Sequence, residues 1–163
     1  MSAGTATAAS TVTVGKAVAE FSLPQTGGGM WRLADARGSK LVLYFYPRDN
    51  TPGCTLEGSE FAALAARFQR SGTAIAGISR DSIAAHEKFR DKMGFPFPLL
   101  SDEDESVCRQ FDVIRDKLLY GRVSRGIERS TFLLDAKGVL RNSWRKVKVA
   151  GHALEVLEAA KSL

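Results

Sequence analysis

The sequence contains few of the residues on which disulfide-rich, metal-binding and membrane proteins depend. Its 163 residues include two cysteines and two histidines, too few for a disulfide scaffold, and neither cysteine belongs to a C-x-x-C pair. No apolar run approaches the ~18 residues that a membrane helix needs. The N-terminal stretch MSAGTATAASTVTVGK has no charge before Lys16 and lacks the basic and apolar regions of a secretory signal. We therefore expect a cytoplasmic protein with no membrane partner.

A concentrated patch of one charge is also missing. The net charge is +5 at pH 7 with a pI of about 9.4, which would suit nucleic acid. The basic residues are scattered, however, and their mild concentrations in Arg115–Arg129 and Arg141–Lys148 are interleaved with Asp116 and Glu128. No helix-turn-helix or ribonucleoprotein signature is present. We predict no nucleic-acid partner and a solvated basic surface that could attract anions or thiolate reductants.

The pattern along the chain predicts a flexible arm, residues 1–15, followed by a single α/β domain, residues 16–163. The expected strands are Phe21–Pro24, Trp31–Leu33, Leu41–Tyr46, Ala74–Ser79, Phe97–Leu100 and a hairpin of Thr131–Asp135 and Val139–Trp144. The expected helices are a stretch that follows the loop Pro47–Thr51 and reaches about Arg70, Ser82–Met93 capped by Gly94, Asp102–Phe111 and His152–Ser162. This order predicts a thioredoxin-like fold, in which a central mixed β-sheet is flanked by helices and preceded by an N-terminal β extension.

Hydrophobic spacing predicts which side chains form the core. The run LVLYFY at Leu41–Tyr46 is typical of a strand that is buried on both faces. Leu154 and Leu157 should face inwards from the last helix. The core face of the helix after Thr51 should consist of Phe61, Leu64, Ala65 and Phe68.

The most informative local sequence surrounds Cys54. The buried strand before it ends where α/β sheets place their ligands. Thr51 suits a helix N-cap, Pro52 the first helical position, and Gly53 permits close approach of a ligand. Cys54 then lies in the first helical turn, where unpaired N–H groups and the helix dipole favour its thiolate. The pattern indicates a reactive cysteine, and a cysteine that merely fills buried space is the alternative.

Pro47-x-x-x-Thr51-x-x-Cys54 resembles the active-site motif of the peroxiredoxins. The longer stretch FYPRDNTPGCTLE is similar to the bacterioferritin-comigratory-protein (PrxQ) subfamily. The likeness continues through GISRDS, FPLLSDEDESVCRQFDV and GIERSTFLLD, nearly the whole chain after the arm. The resemblance implies a bacterial antioxidant enzyme, a thiol-dependent peroxidase that reduces hydrogen peroxide and organic hydroperoxides.

Carried over by position, the resemblance makes Cys54 the peroxidatic cysteine, which attacks the peroxide O–O bond and becomes a sulfenic acid. Thr51 would hydrogen-bond the peroxide and the thiolate, and Pro47 would shield the pocket from water. Arg129 would place a guanidinium beside the thiolate and stabilise charge on the leaving oxygen.

Two of these assignments have alternatives. Arg125 is a less favoured candidate than Arg129, and Arg129 could instead form a surface ion pair with Glu128 or Glu57. Glu57 could orient Arg129 as a supporting residue or remain a solvated carboxylate.

The resemblance also shows what is missing. Many members of the subfamily carry a resolving cysteine five residues after the peroxidatic one, where this chain has Ser59, or in the following helix, where it offers Arg90. Cys108 can share an inward helical face with Phe111, so we interpret it as a buried structural thiol. A Cys54–Cys108 disulfide after local unfolding is the alternative, and it needs Cα atoms within about 7 Å.

We therefore predict a one-cysteine mechanism in which thioredoxin, glutaredoxin or a small thiol such as glutathione reduces the enzyme. No metal or other cofactor is needed, because cysteine itself carries the redox change. His86 and His152 share no ligand spacing with the cysteines and should be structural or exposed. The subfamily resemblance suggests a monomer or weak dimer.

Two other functions compete with this interpretation. A disulfide oxidoreductase on the same fold would need vicinal cysteines, yet Thr55, Leu56 and Glu57 follow Cys54. A basic binding or chaperone-like protein with an incidental thiol is supported by the net charge alone.

Overall fold

The structure is a computed structural model that describes residues 12–163, with a five-stranded mixed sheet at its centre. The strands are β1 (Ser22–Pro24), β2 (Met30–Arg32), β3 (Lys40–Phe45), β4 (Thr73–Ser79), β5 (Leu99–Ser101), β6 (Ile114–Leu119), β7 (Arg122–Ile127), β8 (Ser130–Leu134) and β9 (Leu140–Trp144). The helices are α1 (Pro52–Ala63), α2 (Ala65–Arg70), α3 (Ile83–Met93), α4 (Ser106–Gln110) and α5 (His152–Lys161).

The central sheet has the strand order β5-β4-β3-β8-β9. Strands β3, β4 and β5 are parallel to one another, whereas β8 is antiparallel to both β3 and β9. The β1–β2 pair forms a separate antiparallel hairpin. This is the thioredoxin-like α/β architecture with an N-terminal β extension that the sequence predicts.

Strand β3 separates two apolar cores, one on each face of the sheet. Leu41, Leu43 and Phe45 belong to what we call the hairpin-side core, which also contains side chains from β1 and α4. Val42 and Tyr44 belong to the helix-side core, with side chains from α1, α2, α3 and α5. Because both faces are covered, the strand has no solvent-facing positions between Leu41 and Phe45, which explains its unbroken apolar sequence.

The helix predicted to follow Thr51 and to reach about Arg70 is interrupted. Leu64 has φ −101° and ψ 3°, so α1 ends before it and α2 begins after it. Phe61 and Phe68 are nevertheless both buried in the helix-side core, as predicted, while Leu64 and Ala65 are only half-buried.

The inward position predicted for Leu154 is wrong. Its side chain is 47% exposed, whereas Leu157 is buried. The inward face of α5 consists of Ala153, Val156, Leu157 and Ala160, which follow the spacing of a helical stripe, and Leu154 lies beside that stripe.

The helix predicted at Asp102–Phe111 begins four residues later, at Ser106. The Asp102 carboxylate is buried and accepts hydrogen bonds from the backbone N–H groups of Val107 (3.2 Å) and Cys108 (2.6 Å). Asp102 therefore satisfies the second and third amides of α4 from outside the helix, in the manner of a cap, while Ser106 N donates to Asp104.

The β6–β7 hairpin was not predicted from the sequence. Its turn residues Tyr120 and Gly121 both have positive φ (52° and 75°), as a two-residue hairpin turn requires. Apolar residues of this hairpin such as Leu118 and Val123 are exposed, so the alternation that reveals half-buried strands is absent. The one sequence feature that could have indicated the hairpin is Gly121, a residue that favours the positive φ of its turn.

The predicted N-terminal arm lies mostly outside the described residues. Its last residue, Gly15, donates a backbone hydrogen bond to Leu140 O at 2.7 Å. Within residues 12–163, no helix combines the length and apolar character that crossing a membrane requires.

Candidate active site

The carboxyl end of β3 leads the chain directly to Cys54. Tyr46 continues the sheet, since its N–H donates to Ile78 O at 3.0 Å. Thr51 has the extended backbone of an N-cap (φ −92°, ψ 156°) and Pro52 is the first residue of α1. Cys54 consequently lies in the first turn, where backbone N–H groups have no intrahelical acceptor. Its side chain belongs to the helix-side core and the residue is 2% exposed.

Arg129 reaches Cys54 because β8 runs antiparallel to β3. Ser130, the first residue of β8, pairs with Phe45, the last residue of β3, so the residue before β8 lies at the same end of the sheet as Cys54. Arg129 Nη2 donates to Cys54 Sγ at 3.4 Å. The Arg129 side chain is 16% exposed, whereas Arg125 forms a more exposed ion pair with Glu105 at 2.7 Å.

Gly53 leaves room for the Arg129 guanidinium. A Cβ atom at this position would lie 3.0 Å from Arg129 Nη2. The sequence suggested that Gly53 allows a ligand to approach the backbone, and the structure shows that the protein's own arginine occupies that space.

We expect Gly53→Ala to strengthen α1 but to slow the reaction of Cys54 with peroxide several-fold. Alanine is the better helix former by about 1 kcal/mol, while its methyl group would push the Arg129 guanidinium away from Sγ. Thermal denaturation and stopped-flow peroxide kinetics measure the two effects separately. Ser59→Ala on the same helix is the control, and an unchanged rate in Gly53→Ala would contradict the importance of this contact.

Glu57 binds the second terminal nitrogen of the Arg129 guanidinium. Its Oε1 accepts from Arg129 Nη1 at 2.5 Å, the residue is 1% exposed, and its Oε2 has no hydrogen-bond partner among the described residues. Burial raises the pKa of Glu57 to about 7, although Arg129 acts to lower it. Burial also acts to lower the pKa of Arg129, but the charges of Glu57 and Cys54 outweigh it and raise that pKa. Glu57 is therefore a buried partner of Arg129 rather than a solvated carboxylate.

The buried carboxyl of Glu57 is expected to make the protein less stable as the pH rises. Its pKa is 4.5 when solvated and about 7 in the folded chain, so between these values the folded state binds more protons than the unfolded state. Stability then falls with rising pH, by about 2–3 kcal/mol across the interval. Urea titrations at a series of pH values test this: Glu57→Gln should flatten the decline and Glu60→Gln should keep it. Parallel profiles for wild type and Glu57→Gln would contradict it.

The loop that precedes α1 contains the other two predicted site residues. The Thr51 hydroxyl donates to Arg48 O at 2.9 Å, so its oxygen lone pairs remain able to accept a hydrogen bond. Pro47, at the start of the loop, is half-buried and directly follows the last sheet-bonded residue, Tyr46.

A buried hydrogen-bond network ties this loop to α3 and β5. His86 is fully buried; its Nδ1 lies 2.7 Å from Asp49 Oδ2 and its Nε2 lies 2.9 Å from Leu100 O. The Tyr46 hydroxyl donates to the other Asp49 oxygen at 2.7 Å. Because a carbonyl oxygen only accepts, Nε2 donates to Leu100 O, and the 2.7 Å contact with Asp49 holds the other edge of the ring. His86 is thus structural, and the alternative that it is exposed is wrong.

Asp49, Asp81 and His86 also form the group nearest to a metal-ligand set within residues 12–163, with candidate ligand atoms within 4.8 Å of one another. Asp81 Oδ2, however, accepts from Asp49 N at 3.0 Å and from Ser79 Oγ at 2.5 Å. Protein hydrogen bonds therefore account for the clustering of these three side chains.

Cys108 lies in the hairpin-side core, across the sheet from Cys54. It is fully buried, and burial raises the pKa of its thiol far above the ordinary range. Phe111 is also fully buried in that core, as the shared inward face predicts. A Cys54–Cys108 disulfide would require a thiol to cross the central sheet, which goes well beyond movement of the two helix starts.

His152, the second histidine, closes the helix-side core next to the site. It is buried, its Nε2 lies 2.8 Å from Thr131 Oγ1, and its ring packs edge-on against Trp144 and Phe61. Burial lowers its pKa. Like His86, it has a structural role in a buried position.

A buried thiol in the first turn of a helix, with a guanidinium at its sulfur on a thioredoxin-like sheet, defines a thiol peroxidase. The chain belongs to the AhpC/TSA family, whose model matches residues 14–143. It is 53% identical over 146 residues to peroxiredoxin Bcp of Xanthomonas campestris, covering 88% of this chain and 91% of that protein. It is 40% identical over 153 residues to peroxiredoxin Bcp of Bacillus subtilis, covering 94% of this chain and 98% of that protein.

Solved structures agree with the fold. The bacterioferritin comigratory protein of Xanthomonas campestris, described with its alkyl peroxide reduction activity, has a TM-score of 0.84 at 52% identity and covers 87% of this chain and 90% of its own. A PrxQ mutant of Xylella fastidiosa has a TM-score of 0.88 at 43% identity, with coverage of 94% and 98%. The protein is thus a thiol-dependent peroxidase of the peroxiredoxin type.

Proposed function

We propose that Cys54 is the peroxidatic cysteine of this enzyme. The observation that carries the proposal is the 3.4 Å contact between Arg129 Nη2 and Cys54 Sγ at the start of α1. A guanidinium and the helix dipole both stabilise a thiolate more than a thiol. Cys108 also lies in the first turn of a helix, α4, but it is fully buried, and burial together with the neighbouring Asp102 carboxylate raises the pKa of its thiol.

The proposed reaction is a displacement at oxygen. The Cys54 thiolate forms an S–O bond as the peroxide O–O bond breaks, the departing oxygen takes up a proton, and the products are Cys54 sulfenic acid and water or an alcohol. Negative charge moves from sulfur to the leaving oxygen during this step. Donors that are already oriented around that path lower the barrier, because they need no rearrangement as the charge moves.

The surrounding residues have separate roles in this scheme. Arg129 would contact both sulfur and peroxide, and Thr51 would hydrogen-bond the bound peroxide through its hydroxyl. Pro47 would limit access of water, since proline has no backbone N–H to bind it. Glu57 would act as a positioning residue by keeping Arg129 directed at the sulfur. The alkyl peroxide activity described for the Xanthomonas relative supports organic hydroperoxides as substrates beside hydrogen peroxide.

We further propose that the mechanism uses one cysteine and an external thiol. Ser59 and Arg90 stand where a resolving cysteine would be expected, and the sheet separates Cys108 from Cys54. Thioredoxin, glutaredoxin and glutathione are the proposed reductants. We also propose a cytoplasmic monomer or weak dimer.

Intact mass after stoichiometric peroxide, without reductant, tests the one-cysteine proposal. The chain should gain a single oxygen and form an adduct with a sulfenic-acid trap. Loss of two hydrogens, the signature of an intramolecular disulfide, would overturn it. Cys108→Ala is the matched control and should give the same oxygen gain as wild type.

A further inference from the structure

An open groove of about 590 Å³ lies beside the proposed active site, between the end of β9 and the start of α5. Its lining includes Trp144, Lys146, Val147, Lys148 and Glu155. The groove adjoins the site through the backbone, because Val147 N donates to Arg129 O at 3.0 Å. A molecule seated in the groove would therefore lie next to the residue that contacts Cys54.

The lining of the groove carries a net positive charge. Lys146 and Lys148 take part in none of the ion pairs formed within residues 12–163. Arg145 is directed elsewhere, donating to the carbonyls of Phe111 and Asp112 at 2.9 Å each. Glu155 is the acid in the lining, and its carboxylate lies 3.5 Å from His152 Nδ1. Two lysines thus remain available for an anion.

The backbone of the groove is strained at one of these lysines. Lys146 has φ 50°, in the left-handed region that costs a non-glycine residue about 1 kcal/mol or more. Backbone strain of this kind clusters at active sites and ligand clamps. Trp144 is half-buried in the same lining and offers an apolar surface beside the charges.

We propose that this groove binds the carboxylates of a small thiol reductant. The inference rests on the proposed one-cysteine mechanism and names the chemical class of its reductant. The groove falls within the roughly 300–1,000 Å³ of small-molecule sites. A tripeptide thiol spans about 10 Å when extended. We place its carboxylates at Lys146 and Lys148 and its thiol towards Arg129, because Val147, between the two lysines, donates to Arg129 O.

Reduction of Cys54 sulfenic acid at this groove consumes two thiol molecules. The first thiolate attacks the sulfur of Cys54 sulfenic acid, an S–S bond forms, and the hydroxyl leaves as water with a proton. A second thiol attacks the mixed disulfide, which releases the oxidised small disulfide and returns Cys54 as a thiolate. The oxidant is the peroxide already consumed, and the two thiols supply both electrons.

Reduction of pre-formed Cys54 sulfenic acid by thiols of different charge tests the proposal. Glutathione carries two carboxylates, 2-mercaptoethanol is neutral and cysteamine is cationic. In the double variant Lys146→Glu with Lys148→Glu, we expect reduction by glutathione to fall on the order of tenfold, reduction by 2-mercaptoethanol to stay unchanged, and reduction by cysteamine to rise. The glutathione rate of wild type should also fall as salt is added.

Lys137→Glu, in the hairpin turn between β8 and β9, is the control for charge reversal at a lysine outside the groove and should leave all three rates unchanged. Equal loss with the three thiols, or an unchanged glutathione rate in the double variant, would overturn the groove proposal. Oxidation of Cys54 by peroxide is measured in the same samples and should be the same as in wild type. If peroxide does not oxidise Cys54 at all, the proposed function fails instead, so the two failures are distinguishable.

Discussion

Cys54→Ser is expected to abolish peroxide consumption, with a loss on the order of 10⁴-fold or more, as for removal of a nucleophile in other enzymes. A serine hydroxyl in the same place is not ionised near neutral pH and cannot be oxidised to a sulfenic acid. The fold should survive, since sulfur is replaced by a smaller atom at a site where Arg129 can still donate a hydrogen bond.

The matched variant is Cys108→Ser, which should keep most of the activity. Its thiol is fully buried in the hairpin-side core, so the new hydroxyl is expected to cost about 1–3 kcal/mol of stability. Peroxide consumption should therefore be measured well below the thermal transition of the variant. Activity retained in Cys54→Ser and lost in Cys108→Ser would reverse the assignment of the two cysteines.

Arg129→Met should have the second-largest effect, a fall of roughly 10²–10³-fold in the rate of Cys54 oxidation, as expected for loss of an oriented donor. Methionine keeps much of the side-chain volume but has neither the charge nor the donors that contact Cys54 and Glu57. The second-order rate constant of sulfenic-acid formation, measured by stopped flow, is the relevant quantity because it excludes the reduction step.

Arg125→Met is the control for this variant. It removes the same charge from a residue that pairs with Glu105 away from Cys54, so a general effect of net charge would appear in both variants. Similar losses in Arg125→Met and Arg129→Met would show that the 3.4 Å contact with Cys54 Sγ has no special role. The contact would also have no special role if Arg129→Met lowered the rate of Cys54 oxidation only slightly.

Hydrophobic and local patterns were sufficient to predict the parts of the fold that position Cys54. Three of these predictions rest on residues that are close together in the chain, and the structure contains all three elements. They are the apolar run of β3, the helix start at Thr51-Pro52 and the helix between Ser82 and Gly94. The β6–β7 hairpin has no such pattern, because residues 122–125 of β7 are all exposed and only Ile127, at the end of the strand, is buried in a core.

The contacts that surround the thiol needed more than local sequence. Arg129 lies 75 residues from Cys54 along the chain, and only the antiparallel pairing of β3 with β8 brings them together. A family resemblance could indicate Arg129, but the burial of Glu57 and the space provided by Gly53 are properties of the folded chain. His86 and Asp49 are 37 residues apart, so no spacing rule predicts their network.

Site-resolved trapping tests most directly whether peroxide reacts at Cys54. Reduced protein is treated with one equivalent of peroxide in the presence of dimedone, and the labelled cysteine is located by peptide mass spectrometry. We predict one label per chain, on the peptide that contains Cys54, and a Cys108 peptide that remains unmodified. Label on Cys108, or peroxide consumed with neither cysteine modified, would contradict the assignment of Cys54 as the peroxidatic cysteine.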